Sequence, residues 1–312
     1  MENIKRYNRL TEYLKDKFGE RTLKICIDGG FTCPNRDGKC GIGGCIFCGE
    51  RGSGEHLLPQ DISDQVQGFL SSYRGERANK FIAYFQNFTN TYDTIENLKT
   101  KYDSALVDNR IVSLAIATRP DCIDEDIVKL IKSYSSKYYV WVELGLQTSN
   151  DTTAKQINRG YSSSEFTKAV DLLNKYSIDV VTHIMVGLPG ETHQDIENTV
   201  NFINQHNIQG LKIHSTYIIK NTALEKMYIN GFYSPISFDE YMGNLVYIIT
   251  HIPKEIVIHR INSDAPKDLL VAPEWNLHKK HVMNGLDKIL KEQNLYQGIY
   301  YTTNNWYYVA LK

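Results

Sequence analysis

Four of the six cysteines, Cys33, Cys40, Cys45 and Cys48, fall within a 16-residue stretch of a 312-residue chain. A chain of this length can bury a core without disulfides, so such a cluster asks for a metal or redox reading. The stretch reads Cys33-Pro-Asn-Arg-Asp-Gly-Lys-Cys40-Gly-Ile-Gly-Gly-Cys45-Ile-Phe-Cys48. Glycines from Gly38 to Gly49 let the backbone turn at positive φ and approach a bulky inorganic group closely. Four thiolates could hold a structural zinc tetrahedrally. Three could hold a [4Fe–4S] cluster and leave one iron without a protein ligand. Cys45 and Cys48 form the only C-x₂-C knuckle, and the gap from Cys33 to Cys40 is wide for a second. Spacing alone leaves both readings open. Cys26, within Leu23-Lys-Ile-Cys-Ile, reads as a buried structural thiol, and Cys122 as a semi-buried free one.

Composition excludes several classes. Hydrophobic residues make up 42% and charged residues 23%, as in ordinary globular proteins and unlike disordered chains. No apolar run is long enough to span a membrane. The start, Met1-Glu-Asn-Ile-Lys-Arg, leads into a charged amphipathic stretch and not an apolar signal core, so a cytoplasmic location is expected. A net charge of −1 makes no case for a nucleic acid.

Short β-rich runs alternate with amphipathic segments. The runs are Leu23–Ile27, Phe81–Phe85, Ile111–Ala117, Tyr138–Leu146, Asp179–Val186 and Leu211–Ile218. Helix starts are expected at Ser63, at Asp124 and at Thr192-x-x-Asp195. Capping boxes are expected at Ser162-x-x-Glu165 and Ser237-x-x-Glu240. Alternating strand and helix argues for a parallel sheet with crossover helices. Six such units predict an α/β fold, a partial (β/α)6 TIM-like barrel short of the full eight. A core over residues 1–220, with an N-terminal helix and the cysteine loop, would precede a C-terminal α/β extension over 221–312.

In such barrels chemistry gathers at the carboxyl ends of the strands. The cysteine loop follows the first run, Gln86 the second and Arg119 the third. Glu143 and Gln147 lie on and just after the fourth. Gly187-Leu-Pro-Gly-Glu191 follows the fifth, and Tyr217 with Lys220 the sixth. One face thus collects thiols, amides, acids and bases, which suits a polar, zwitterionic nucleoside beside a metal centre and favours a catalytic reading over zinc.

With these residues in hand, the chain resembles radical S-adenosylmethionine (SAM) enzymes, and within them the YtqA/YhcC-type group, relatives of the Elongator catalytic subunit. The likeness rests on Cys33-Pro-Asn-Arg-Asp-Gly, Gly44-Cys45-Ile-Phe-Cys48, Tyr84-Phe-Gln86-Asn-Phe-Thr89-Asn90-Thr91-Tyr92 and Ala117-Thr118-Arg119-Pro120-Asp121. It continues in Glu143-Leu-Gly-Leu-Gln147-Thr, Ile157-Asn-Arg159-Gly, Gly187-Leu-Pro-Gly-Glu191, Lys220-Asn-Thr222-Ala-Leu224, Asp264-Ala-Pro266 and Ala272-Pro-Glu-Trp275.

The resemblance implies a [4Fe–4S] cluster on Cys33, Cys45 and Cys48, spaced C-x₁₁-C-x₂-C, with Cys40 outside the motif. Cys40, Cys45 and Cys48 remain an alternative ligand set. It further implies that SAM fills the open iron site, where one electron cleaves its sulfonium to a hydrogen-abstracting 5′-deoxyadenosyl radical. An electron donor such as flavodoxin or ferredoxin is implied. Phe47 is expected near the adenine, Gln86 at the SAM amino group, and Glu143 and Gln147 near the methionine or ribose. Arg159 is expected at the SAM carboxylate, and the Ile184–Gly187 strand end along the adenine. His183 reads as a core histidine. The implied substrate is a tRNA wobble uridine, its 5-carboxymethylaminomethyl group processed to 5-aminomethyl. No acetyltransferase domain follows the sixth run. Support for RNA comes from Lys5, Arg6, Arg9, Lys15, Lys17, Arg21 and Lys24, from Lys279-Lys280-His281, and from the aromatic run at residues 300–308. That last run also reads as a β-hairpin packed on the barrel.

Overall fold

The computed structural model describes residues 5–52, 54–55, 57 and 60–302. Six strands alternate with helices as expected: β1 (Thr22–Ile27), β2 (Lys80–Phe85), β3 (Ile111–Thr118), β4 (Tyr139–Gln147), β5 (Asp179–Val186) and β6 (Gly210–Ser215). They pair in parallel, in chain order. The expected sixth run is split. Strand β6 stops at Ser215, whose carbonyl and hydroxyl are taken by Ser263, Asn262 and Asn276 side chains. Ile218–Ile219 forms a separate β7, which pairs antiparallel with β9 (Leu270–Ala272). Between them in sequence, β8 (Val257–Arg260) joins β6 as a seventh parallel strand. At four residues it is too short to show a period of its own in the sequence.

The helices are α1 (Leu10–Phe18), α2 (Ile62–Leu70), α3 (Ile95–Ala105), α4 (Glu125–Tyr134), α5 (Asp151–Gln156), α6 (Ser163–Lys175), α7 (His193–Ile203), α8 (Ala223–Ile229), α9 (Phe238–His251) and α10 (Lys279–Glu292). Asp124 caps α4 by accepting from Ile127 N–H at 2.9 Å, and Ile127, Val128 and Ile131 are its buried stripe. The boxes Thr192/Asp195 and Ser237/Glu240 form on α7 and α9. The box expected at Ser162 does not: Ser162 Oγ turns to Ser164 Oγ at 2.7 Å, and Glu165 pairs with Lys168. Helix α2 starts after Asp61, two residues before the expected Ser63.

The sheet is curled. Lys212 on β6 donates to the Tyr84 hydroxyl on β2 at 2.8 Å, whereas strands four places apart in a flat sheet stand about 19 Å apart. Curling divides the core in two. The outer face, including Ile25, Leu114, Leu144, Ile184 and Ile213, packs against the helices. The inner face, with Ile82, Tyr84, Ala115, Trp141 and Val181, receives Leu14 of α1. Helix α1 thus closes the amino end of the half-barrel and leaves the carboxyl end for chemistry.

Candidate active site

The loop carrying the thiols is fastened by backbone atoms. Gly44 N–H donates to the Asn35 carbonyl, and the Asn158 side chain donates to the Gly44 carbonyl at 2.7 Å. Ile46 N–H donates to the Ile157 carbonyl at 3.1 Å. Ile157-Asn-Arg159-Gly is therefore the seat of the cysteine loop. Gly44 has a φ of +79°, and a Cβ there would lie 2.9 Å from Arg36 Nε. The Arg36 guanidinium caps the Cys48, Gly49 and Glu50 carbonyls.

All six cysteines are free thiols. Burial pushes Cys45 up to about 12, with the neighbouring Cys48 and Cys33 thiols adding to the shift. Burial also raises Cys48, again beside Cys33. Such thiols release their protons when a metal binds them. Asn35 Nδ2 reaches Cys45 Sγ at 3.8 Å. Among the described residues no three His, Cys, Asp or Glu side chains converge on a point that one ion could occupy. Cys33 lies near enough to act on both Cys45 and Cys48, and three soft donors gathered on one loop suit an iron–sulfur cluster with one iron left open. Cys40 is exposed, 4.0 Å from Asp121 Oδ2, whose neighbour Cys122 is only partly exposed.

Beside the loop a cavity of about 120 Å³ is lined by Phe47, Gln147, His183, Met185, His214, Tyr217 and Ser263. Phe47 and Gln147, both expected beside SAM, lie on the cavity wall. Phe47 also packs on Ile218, Leu224, Tyr233 and Ala272. Gln147 follows a register shift in β4 and adopts a φ of 59°. The Tyr161 hydroxyl, which contacts the Gly145 carbonyl at 2.6 Å and Gln147 Oε1 at 2.9 Å, holds it in this strained conformation. Gln86 is half-buried at the end of β2 and is not among the lining residues.

Other expected residues sit differently. Ile184 is 1% exposed and its side chain faces the helices. Strand alternation sends His183 and Met185 to the cavity instead, so only the Ile184 backbone faces it. Gly187 has a φ of +88°, a Cβ there would lie 2.8 Å from Ile236, and its carbonyl accepts from Tyr233 at 2.7 Å. Arg159 is fully buried, and each guanidinium nitrogen already has a protein partner. Nε donates to the Tyr161 carbonyl, Nη1 to the Leu146 and Thr148 carbonyls, and Nη2 to Asp151 at 3.0 Å. The expected reach to a ligand carboxylate gives way to a bracing role between β4 and the loop seat.

Glu143 is fully buried one layer below the cavity. Its carboxylate meets Lys212, Lys24 at 3.4 Å, Trp141 Nε1 at 3.0 Å and His183 Nε2 at 2.9 Å. These oxygens are not available to a ligand as expected. Burial opposes its charge, but Lys212 and Lys24 hold Glu143 well below the usual carboxylate range. Burial pulls Lys212 down to about 7 and His183 to about 4. Lys24, expected on a basic outer face, belongs to this interior. His183 is a cavity residue as well as a core one. Lys212, His214 and Ser263 were not anticipated. The alternation Lys212-x-His214 on an apolar strand was the available signal for the first two.

Residues 33–203 match the family model described as the Radical SAM superfamily, and residues 208–292 match the Radical SAM C-terminal domain. The chain belongs to the radical SAM superfamily. It is 37% identical over 300 residues to the uncharacterized protein YtqA of Bacillus subtilis, covering 95% of this chain and 93% of YtqA. It is 29% identical over 205 residues to a tRNA uridine(34) acetyltransferase of Dehalococcoides mccartyi, covering 64% of this chain and 42% of that protein. The fold matches a solved structure of archaeal Elp3 from Methanocaldococcus infernus with an N-terminal deletion. The TM-score is 0.70 at 19% identity, over 88% of this chain and 64% of that one. Radical SAM enzymes use a [4Fe–4S] cluster, SAM and an electron donor. Among the described residues no helix is long and apolar enough to cross a membrane.

Proposed function

We propose that this radical SAM enzyme acts on the wobble uridine of tRNA and converts a 5-carboxymethylaminomethyl group to 5-aminomethyl. The observation that carries this reading is the likeness over 64% of the chain to a tRNA uridine(34) acetyltransferase. This chain spans less than half of that protein, and the shared part includes the radical SAM region. In this reading Cys33, Cys45 and Cys48 hold the cluster. Phe47, Gln86, Gln147, the Ile184 backbone and Gly187 surround SAM, and Arg159 and Glu143 brace the site. Cluster and SAM supply hydrogen-atom abstraction after one-electron reduction. The protein's residues orient the base so that the carbon between carboxylate and nitrogen is the one presented for hydrogen abstraction. Overall, a carbon–nitrogen bond breaks and water supplies the aldehyde oxygen of glyoxylate. The electron pair is taken up as SAM becomes methionine and 5′-deoxyadenosine, and one proton is released.

A flavodoxin or ferredoxin donor and a cytoplasmic setting belong to the same reading. Tyrosines at the end of the described chain and the exposed Lys15, Lys17 and Lys280 offer stacking and phosphate contacts. Lys279 is already paired with Asp264 at 3.0 Å. The remainder of the aromatic run, from residue 303, lies outside the described residues. The test is nucleoside analysis. A strain lacking the protein should accumulate 5-carboxymethylaminomethyl uridines and lose the 5-aminomethyl series. The reduced enzyme with SAM should convert one to the other and release glyoxylate. Unchanged wobble uridines, with no tRNA binding at low salt, would overturn the proposal.

A further inference from the structure

The interior below the cavity holds more basic side chains than its own carboxylate can pair. Glu143 is fully buried and faces two ammonium groups, Lys212 (side chain 4% exposed) and Lys24 (21%). Arg260, the register partner of Lys212, is paired with Asp264 at 2.9 Å. Tyr84 and Cys26 also face this space. Burial raises both, so they add no negative charge. His183, His214 and His259 are driven towards the neutral form by burial. Two lysines thus face one carboxylate, and burial pulls Lys212 down to about 7, so its ammonium form is completed only when a second anion joins Glu143. A buried ammonium is costly without a counterion, so an anion entering this space would hold Lys212 charged.

One group on the cavity wall is also left without a partner. His214 Nδ1 meets Ser263 Oγ at 3.3 Å, while its Nε2 is buried with no hydrogen-bond partner. The His214 and His183 rings stand 5.2 Å apart, and His183 leads through Glu143 to Lys212.

We propose that His214, with His183 and Lys212 behind it, forms an anion subsite for the substrate, and that the anion is the carboxylate of the wobble side chain. The inference rests on the wobble-uridine reading and deepens it. The carboxylate end of the side chain enters furthest. With the Ser263 hydroxyl turned from the Ser215 carbonyl to His214 Nδ1, Nε2–H donates to the carboxylate, and Lys212 and Lys24 supply the counter-charge behind it. The carbon between carboxylate and nitrogen is then left towards the cysteine loop. The subsite explains selection for a carboxymethylated amine over an uncharged side chain.

The experiment compares two full-length tRNAs, one with the native side chain and one with its carboxylate replaced by a primary amide. Wild-type enzyme should show a KM about 10-fold lower for the carboxylate. His214→Ala and Lys212→Met should each shrink that preference to about 2-fold or less, by raising KM for the carboxylate substrate alone. Iron content and anaerobic calorimetry of SAM binding are measured on the same samples. Should Lys212→Met fail to fold, His214→Ala decides. If the variants keep the full preference while wild type converts tRNA, the subsite is wrong and the wobble-uridine reading stands. Loss of SAM affinity in His214→Ala would assign the anion to the SAM carboxylate and overturn the proposal. If wild type converts neither tRNA, the wobble-uridine reading fails and this inference with it.

Discussion

The cysteine loop and the inner wall of the half-barrel both serve the carboxyl end of the sheet, but they are built in opposite ways. The loop draws its donors from sixteen consecutive residues and fixes them with local turns and carbonyl contacts to the Ile157–Gly160 seat. The wall gathers Lys24, Tyr84, Trp141, Glu143, His183 and Lys212 from β1, β2, β4, β5 and β6, one or two inward positions from each strand. In the loop, burial holds the Cys45 and Cys48 thiols protonated until a metal takes their protons. On the wall, Glu143 is held ionised by Lys212 and Lys24. A local motif can therefore lose one donor and keep its fold, whereas the wall cannot lose its carboxylate without leaving two cations in the core.

Four measurements bear on that contrast. The largest effect belongs to the loop. Cys33→Ser, Cys45→Ser and Cys48→Ser should each abolish the iron–sulfur absorbance near ~400 nm while the fold persists by circular dichroism, and Cys40→Ser should retain it. Loss in Cys40→Ser with retention in Cys33→Ser would select the alternative ligand set.

For the wall, Glu143→Ala should lower unfolding stability by about 3–5 kcal/mol, because Lys212 and Lys24 lose their buried counterion. Denaturant titration of the apo-protein measures it. A loss below about 1 kcal/mol would show the wall to be as loosely coupled as a surface pair.

The third measurement sets Glu143 against Glu191 at the rim. Burial pushes Glu191 up to about 7, only partly offset by the Thr148 and Thr153 hydroxyls. An acid raised above its unfolded value favours the fold below that value and loses the advantage as pH rises through the folded one. Glu191→Gln should therefore gain stability relative to wild type as pH rises from 5 to 7, by on the order of 2 kcal/mol. Glu143, depressed by its cations, changes only in acid, as pH falls through its lowered range. A parallel pair of stability curves for wild type and Glu191→Gln would refute the shift.

The smallest effect separates a local signal that forms from one that does not. Ser237→Ala removes a made cap on α9 and should cost about 1 kcal/mol, while Ser162→Ala on α6 should cost under about 0.5 kcal/mol. Thermal melts of the two variants make the comparison.

Much of the fold was legible. Six parallel strands, the cysteine loop after the first, the helix start at Thr192 and the box at Ser237 follow from residues that are near neighbours in the chain. Hydrophobic period, turn chemistry and capping act over a few residues, so the sequence states them directly. What the chain alone did not state depends on register and curl. It marked Glu143 and Arg159 as polar groups at strand ends, but not that their hydrogen-bonding atoms are spent within the protein. It offered Lys24 as surface charge, while the curled sheet turns that side chain inward. It left Lys212 and His214 unremarked, because a lone basic residue in a strand reads alike on either face. The side chosen is set by which strand lies opposite. The pairing of β6 with β8 and the closure of the amino end by α1 decided that.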